Sequence, residues 1–497
     1  MSDSGPLTGV RVLDLSRVLS GPSCGKALAD LGADVIKVEP PEGDLTRTAQ
    51  PRVGGLPVYF AQQNCGKRCV SVDLRTEAGR DLVADLAAAC DVVLENFRPG
   101  VLDRVGLGYE EVRARNPKVV YCSITGYGQD GPMAGRRAYA PVMHAELGLM
   151  EFAARKLHDV PRPEAVSHAD LYSGLQATVG ILAALVQRDH TGEGQHIDVS
   201  MAEVMLQATE WTAVELAGGQ GDLLHIFGSF NAPVLQLGDG TTVHVPGDPV
   251  SSFPAWCTAM ERPELLSDER FVSREARHAN RPAMLALFQE FASTFTRFDD
   301  FEAALGRARL AVGEMRPIAD VAAAEWARAR DAVVDIDVGE GGPMRLPRSP
   351  FRFSGAAAGT TGRPGWQGQH NREVLREVLA MTDADIDALE RDAVLVERPP
   401  SFSRSQDRFP RLDLRTQELR EARAVRDRVT EGELIELSAL QEQMHVVLPR
   451  EADAAMHLQR RTRDALRRVG TPRFRGGRRH RHIGMRRGDA PGRVVHR

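Results

Sequence analysis

Glu164–Ser200 reads EAVSHADLYSGLQATVGILAALVQRDHTGEGQHIDVS. Leu175, Val179, Leu182 and Val186 recur at three- and four-residue steps, which predicts one helix from Leu171 to Arg188. Asp170 stands at its mouth. Unpaired first-turn amides and the positive end of the helix dipole favour an ionised carboxylate there, able to act as a nucleophile. Gly174 follows and lets another backbone or a ligand come close. The helix is expected to end in the two-glycine turn Asp189–Gly194. A β-prone stretch, Gln195–Ser200, comes next, then a second helix from Ala202 to Ala217. Taken alone, Asp170 reads as an N-cap, as most Asp residues before helices do.

Outward from this stretch, strands and helices alternate. Val10–Leu15 reads as a buried strand, Pro22–Gly32 as a helix with Pro near its start, and Asp34–Glu39 (DVIKVE) as the next strand. Strand, glycine turn, helix, strand and acidic residue outline a dinucleotide-binding unit. The turn argues against that cofactor. Gly21-Pro22-Ser23-Cys24-Gly25 is not GxGxxG, Pro22 has no amide for a pyrophosphate, and the loop Ser16–Ser20 is too long. A helix over Ala78–Cys90, strand Val92–Glu95 and strand Val119–Tyr127 continue the pattern. This predicts an α/β fold around a largely parallel sheet.

Several of these stretches together resemble the family III CoA-transferases, which include formyl-CoA:oxalate and carnitine-type transferases and α-methylacyl-CoA racemase. The matching motifs are Arg17–Pro22 (RVLSGP) with LGADVIKVE, ENFRPGVLDRVGLGYE from Glu95, the turn Gly126–Pro132, and Asp170 through Ser200. The resemblance runs from about Leu7 to Leu395. It implies a Rossmann-like large domain plus a smaller α+β domain, in a homodimer of two interlocked rings. It also implies that Asp170 is the covalent nucleophile. Val18, Leu19, Lys67, Asn96, Arg104, Arg137 and Tyr139 match positions beside coenzyme A. Lys67 and Arg104 suit phosphate groups through charge-assisted hydrogen bonds. Pro40 stands where some formyl-type members stack an arginine on adenine.

The family leaves two chemistries open. Transfer of CoA from an acyl-CoA thioester to a carboxylic acid needs the aspartate. Racemisation needs a base where Tyr139 stands, and a tyrosine with a pKa near ~10 is a poor base. His144 and His168 lie close in sequence and could supply a rearranged one. A non-catalytic CoA-binding protein is the third reading. For transfer, acyl-CoA and a carboxylic acid are the substrates, and no tightly bound cofactor or metal is required. Either the amides of the Gly126–Gly131 turn or those of the helix mouth are expected to hold the oxyanions.

Residues 1–226 are expected to form the first part of the large domain and 227–320 the small domain, with 321–397 returning to the large one. The small domain opens with strands Val234–Leu237 and Thr242–Val245 around Gly238-Asp239-Gly240, a hairpin signal. It lacks the run of glycines with which formyl-type members cover the aspartate. Near the end, Gln369-His370 displaces the family's usual Gly-Glu-His pattern.

Charge separates the last stretch from the rest of the 497 residues. Residues 401–497 carry 23 Arg, no Lys and 13 acidic residues, a balance of +10, which leaves −15 for residues 1–400. Leu412–Val447 is helical in character, whereas Thr471–Arg497 has nine Arg, one acid and little to bury. Such a tail is expected to be disordered rather than to bind nucleic acid. The start, MSDSGPLTGV, lacks signal-peptide regions, and no uncharged apolar run approaches a membrane span. The six cysteines form no CxxC pair, which fits reduced thiols in the cytoplasm.

Overall fold

The structure is a computed structural model that describes residues 5–157, 159–218, 232–339, 342–360 and 362–400. The expectations for Leu412–Val447 and Thr471–Arg497, and the boundary near residue 227, lie outside the described residues.

Six strands make the central sheet: β1 (Arg11–Asp14), β2 (Asp34–Glu39), β3 (Arg68–Ser71), β4 (Val92–Glu95), β5 (Val120–Thr125) and β6 (Gln195–Ser200). Their order is β3-β2-β1-β4-β5-β6, and every neighbouring pair is parallel. The runs VVLE and VYCSIT are buried at every residue, as strands covered on both faces must be. Between β1 and β4 the strand order reverses, and open α/β sheets hold ligands at the carboxyl ends of such a pair. The loops after β1 and β4 are RVLSGP and NFRPG.

Helix α1 (Ser20–Asp30) follows β1, and α2 (Glu77–Ala88) leads to β4. The short helix α3 (Ala140–Glu146) precedes α4 (His168–Thr191), which crosses back to β6. Helix α4 starts three residues earlier than its periodicity suggests, so Asp170 is the third helical residue rather than the cap. Ser167 occupies the cap position without a side-chain hydrogen bond.

The apolar stripe by which α4 is recognised is not the face that α4 buries here. Leu175, Val179 and Val186 are exposed, while Ala169, Ser173, Gly174, Ala177, Thr178, Ile181, Ala184 and Leu185 face inward. Small residues line the inner face because α1 lies directly against it. A Cβ on Gly174 would sit 2.1 Å from Ser23 Oγ and 2.6 Å from the Ser20 carbonyl oxygen. By length and composition α4 could cross a membrane, contrary to the sequence expectation, but 44% of its most apolar window is buried inside the chain.

The second helix expected over Ala202–Ala217 is broken. Met201–Ala208 and Thr212–Leu216 are separate helices, and between them Trp211 turns inward to stack on Phe152 at 6.2 Å. Residues 235–312 gather their own apolar cluster around Trp256, Phe253, Phe288 and Phe301. The expected hairpin is present there, with Val234–Gln236 antiparallel to Thr242–His244. Val333–Asp337 and Pro343–Pro347 form a second hairpin. Helix Asn371–Leu379 then packs back on the first core through Val374 and Leu375.

Candidate active site

Beneath the carboxyl ends of β1 and β2 lies a set of buried charges. Asp14 meets Lys67 at 2.8 Å with both side chains fully enclosed, and Lys37 meets Asp44 at 3.1 Å. Lys67 also donates to the Pro22 carbonyl and to Asn64 Oδ1, so all three of its protons are used. The expected phosphate contact at Lys67 is therefore corrected. This lysine is an interior counter-ion, because removing its charge from Asp14 would strand a carboxylate away from water. Burial pushes Asp14 up, but Lys67, Lys37 and the Ser16 hydroxyl outweigh it and hold the carboxyl below its usual value.

The same charges fix the loop after β1. Val18 is held at φ 66, a left-handed conformation that disfavours a β-branched side chain by roughly 1–3 kcal/mol. Its amide donates to Asp44 Oδ2 at 3.2 Å, while Lys37 donates to the Ser16 carbonyl at 2.9 Å. Burial pushes Asp44 up, yet Lys37 and the Thr46 amide and hydroxyl bring it down to about 2, so it stays charged. From the other side Asn96 clasps the loop. Its Oδ1 accepts from the Arg17 amide at 2.8 Å, and its Nδ2 donates to the Arg17 carbonyl at 2.8 Å and to Ser20 Oγ at 3.0 Å.

Above this loop opens a cavity of about 500 Å³, walled by the turns after β1, β4 and β5 and by the start of α4. Val18, Asn96, Arg137, Tyr139 and Asp170 all line it, so the structure brings five of the eight sequence candidates together. Leu19 is buried beside it and does not line it. Arg104 is exposed on a 3-10 turn outside the lining. Asn96 lines the wall, but its polar atoms already serve the loop. Sequence reasoning missed Ser20, Arg17, Arg98 and Arg136, although all but Arg136 sit inside the quoted motifs RVLSGP and ENFRPG.

Among the described residues of this lining Asp170 is the only carboxylate, and none is a histidine, cysteine or lysine. Burial raises its pKa from 3.8 to about 6, offset in part by hydrogen bonds from the Ala140 amide and the Ser20 hydroxyl. Desolvation thus outweighs the helix end that was expected to dominate. At neutral pH the group is still ionised by about ten to one. The amide that reaches it belongs to Ala140 at the start of α3, not to the Gly126–Gly131 turn.

The two histidines face elsewhere. His144 is buried and its Nε2 accepts from the Ala169 amide at 3.2 Å, which keeps that ring neutral as a cap on α4. His168 lines a different cavity, with Phe152, Tyr172 and Trp211.

Two further cavities frame the site. An apolar cleft of about 280 Å³, floored by Pro40, Pro41, Val72 and Leu74, shares Arg17, Phe97 and Val101 with the Asp170 cavity. A polar hollow of about 510 Å³ lies at the opposite, amino ends of the strands, and there Arg188 is already paired with Asp91 at 3.0 Å. Its size matches that of the Asp170 cavity, but it has neither the strained loop nor the perturbed carboxylate.

The chain is similar over most of its length to proteins of known family. Residues 7–371 match the model of CoA-transferase family III. The acetyl-CoA:oxalate CoA-transferase of Acetobacter aceti is 36% identical, across 71% of this chain and 90% of that protein. The succinyl-CoA:glutarate CoA-transferase of Mus musculus is 33% identical, across 77% of this chain and 89% of that one. Among solved structures, a CAIB/BAIF family protein from Brucella suis superposes with a TM-score of 0.66 at 37% identity, covering 76% of this chain and all of that one. The chain belongs to CoA-transferase family III. It is an enzyme of the acyl-CoA:carboxylate CoA-transferase class.

Proposed function

We propose that the chain moves CoA from an acyl-CoA to a carboxylic acid through a covalent intermediate on Asp170. One observation carries this reading: among its described lining residues the cavity offers a single, partly buried carboxylate, Asp170, ionised at neutral pH, in a wall that also holds Arg17, Arg98, Arg136 and Arg137. Asp170 attacks the thioester carbonyl, forming a mixed anhydride and releasing CoA thiolate. The thiolate attacks the aspartyl carbonyl, expels the donor acid and leaves an aspartyl thioester. The acceptor acid reverses both exchanges. Splitting one hard exchange into two easier ones is the general benefit of covalent catalysis.

In this reading the adenosine end of CoA takes the apolar cleft beside Pro40 and Pro41, and the pantetheine arm passes Phe97 to reach Asp170. Arg17 and Arg98 would meet the diphosphate. Racemisation is less well supported, because His144 is committed to the Ala169 amide and Tyr139 is largely exposed. The exposed stripe of Tyr172, Leu175, Val179 and Val186 supports a homodimer, since contiguous apolar faces mark association surfaces. The six cysteines, all buried and none in a disulfide, fit a reducing cytoplasmic compartment.

The test is a matrix of CoA thioesters against carboxylic acids, read by mass spectrometry, with hydroxylamine added during turnover. A new thioester together with a hydroxamate on Asp170 is expected. Exchange of the α-proton for solvent deuterium without an acceptor would instead indicate racemisation.

A further inference from the structure

Ser20 is the first residue of α1, 3% exposed, and faces Asp170 across the floor of the cavity. Gly174 makes this meeting possible, because any side chain there would strike Ser23 and the Ser20 carbonyl. A hydroxyl has one proton to give and lone pairs to receive. Asn96 Nδ2 donates to Ser20 Oγ at 3.0 Å, which occupies a lone pair and leaves the proton free to point at the carboxylate. Asn96 is itself fixed by two hydrogen bonds to the backbone of Arg17, so the direction is set by rigid neighbours rather than by solvent.

We propose that the Ser20 hydroxyl is a catalytic donor to the aspartyl carbonyl oxygen, with Asn96 as the residue that positions it. The inference rests on Asp170 being the nucleophile. When CoA thiolate adds to the aspartyl carbonyl carbon, a C–S bond forms and the C=O pair moves onto oxygen. When the tetrahedral species collapses, the C–O bond to the departing acid breaks and that acid leaves as a carboxylate. No proton changes hands. Ser20 Oγ–H and the Ala140 N–H, the two donors that lower the Asp170 pKa, would then face the oxygen on which charge builds. A donor already fixed in place stabilises such charge without reorganising.

The test uses the full-length enzyme with an active substrate pair, in Ser20→Ala, Ser20→Thr and Asn96→Ala forms, each checked for its melting temperature. Ser20→Ala is expected to lower kcat by about 10²- to 10³-fold, the usual loss for one such donor, with KM for acyl-CoA within about threefold. Its acid limb in kcat/KM should move to higher pH, because the ionised carboxylate loses a donor. Ser20→Thr, which keeps the hydroxyl, should recover most of the rate, and Asn96→Ala should fall between the two. Single-turnover trapping with hydroxylamine should still label Asp170 in Ser20→Ala, but more slowly. An unchanged kcat and acid limb in a folded Ser20→Ala enzyme that still labels at Asp170 would overturn the role of Ser20 and leave the nucleophile standing. A wild-type enzyme that never labels at Asp170 would overturn both.

Discussion

Asp170 is held in a state that the fold does not favour. Its carboxyl titrates near 3.8 when exposed and near 6 in the folded chain. Below about pH 4 both states keep the proton and the residue is neutral to stability. Between about 4 and 6 the unfolded chain ionises first, and stability falls. Above 6 the whole penalty stands, on the order of 1–3 kcal/mol. Asp170→Asn should therefore abolish CoA exchange yet resist urea better than the wild type at pH 8, with the gain gone at pH 4. Parallel denaturation curves at the two pH values check this, and equal stability at pH 8 would contradict it. Lys67 behaves in the opposite way. Lys67→Met leaves Asp14 charged in the interior and should cost about 3–5 kcal/mol, while KM for acyl-CoA in the surviving folded fraction stays near its wild-type value. A large rise in KM without loss of stability would restore Lys67 as a ligand. From sequence, a lone basic residue on a loop reads the same whether it meets a phosphate or a buried carboxylate, and its partner Asp14 lies 53 residues away. Ser20 was hidden for a related reason, since a serine in a loop carries no chemistry until its neighbour across the fold is known.

Among the elements, strands were the most legible. DVIKVE and VVLE run as strands over the spans that their continuous β-branched character suggests. Helix limits were less legible, because tertiary contacts decided them. His144 caps α4 from outside, and Trp211 breaks the next helix by turning in against Phe152. Gly174 could be recognised as a point of close approach, but what approaches it could not. Adding a methyl at Gly174 would bring Cβ to 2.1 Å from Ser23 Oγ, so α4 must move off α1. Gly174→Ala should destabilise the fold by roughly 1–3 kcal/mol despite the better helix propensity of alanine. It should also lower kcat by shifting Asp170. Gly180→Ala on the same helix meets Ile197 only at 3.2 Å and should stay within about 1 kcal/mol of the wild type. Thermal melts of the pair separate a close-packing role from a general intolerance of the helix to change.

For the whole molecule, the strand order explains why the site lies where it does. The two loops at the reversal between β1 and β4 supply the clasp and part of the arginine wall, and α4 brings the carboxylate to them. That order depends on which strands become neighbours, which periodicity does not report. The outer face of α4 carries the next prediction. If the proposed homodimer forms through this face, replacing Leu175 with Glu and Val179 with Lys should leave a monomer in sedimentation velocity, because both side chains are more than half exposed in one chain. An unchanged sedimentation coefficient would place the association surface elsewhere. The energetic position of Asp170 also reaches beyond catalysis. If the wild-type chain folds against the carboxylate proposed as its nucleophile, cells will accumulate some inactive versions to higher levels than the working enzyme. A survey that ranks variants by abundance would then score substitutions at Asp170 as improvements, and only a measurement of turnover would reveal them as losses.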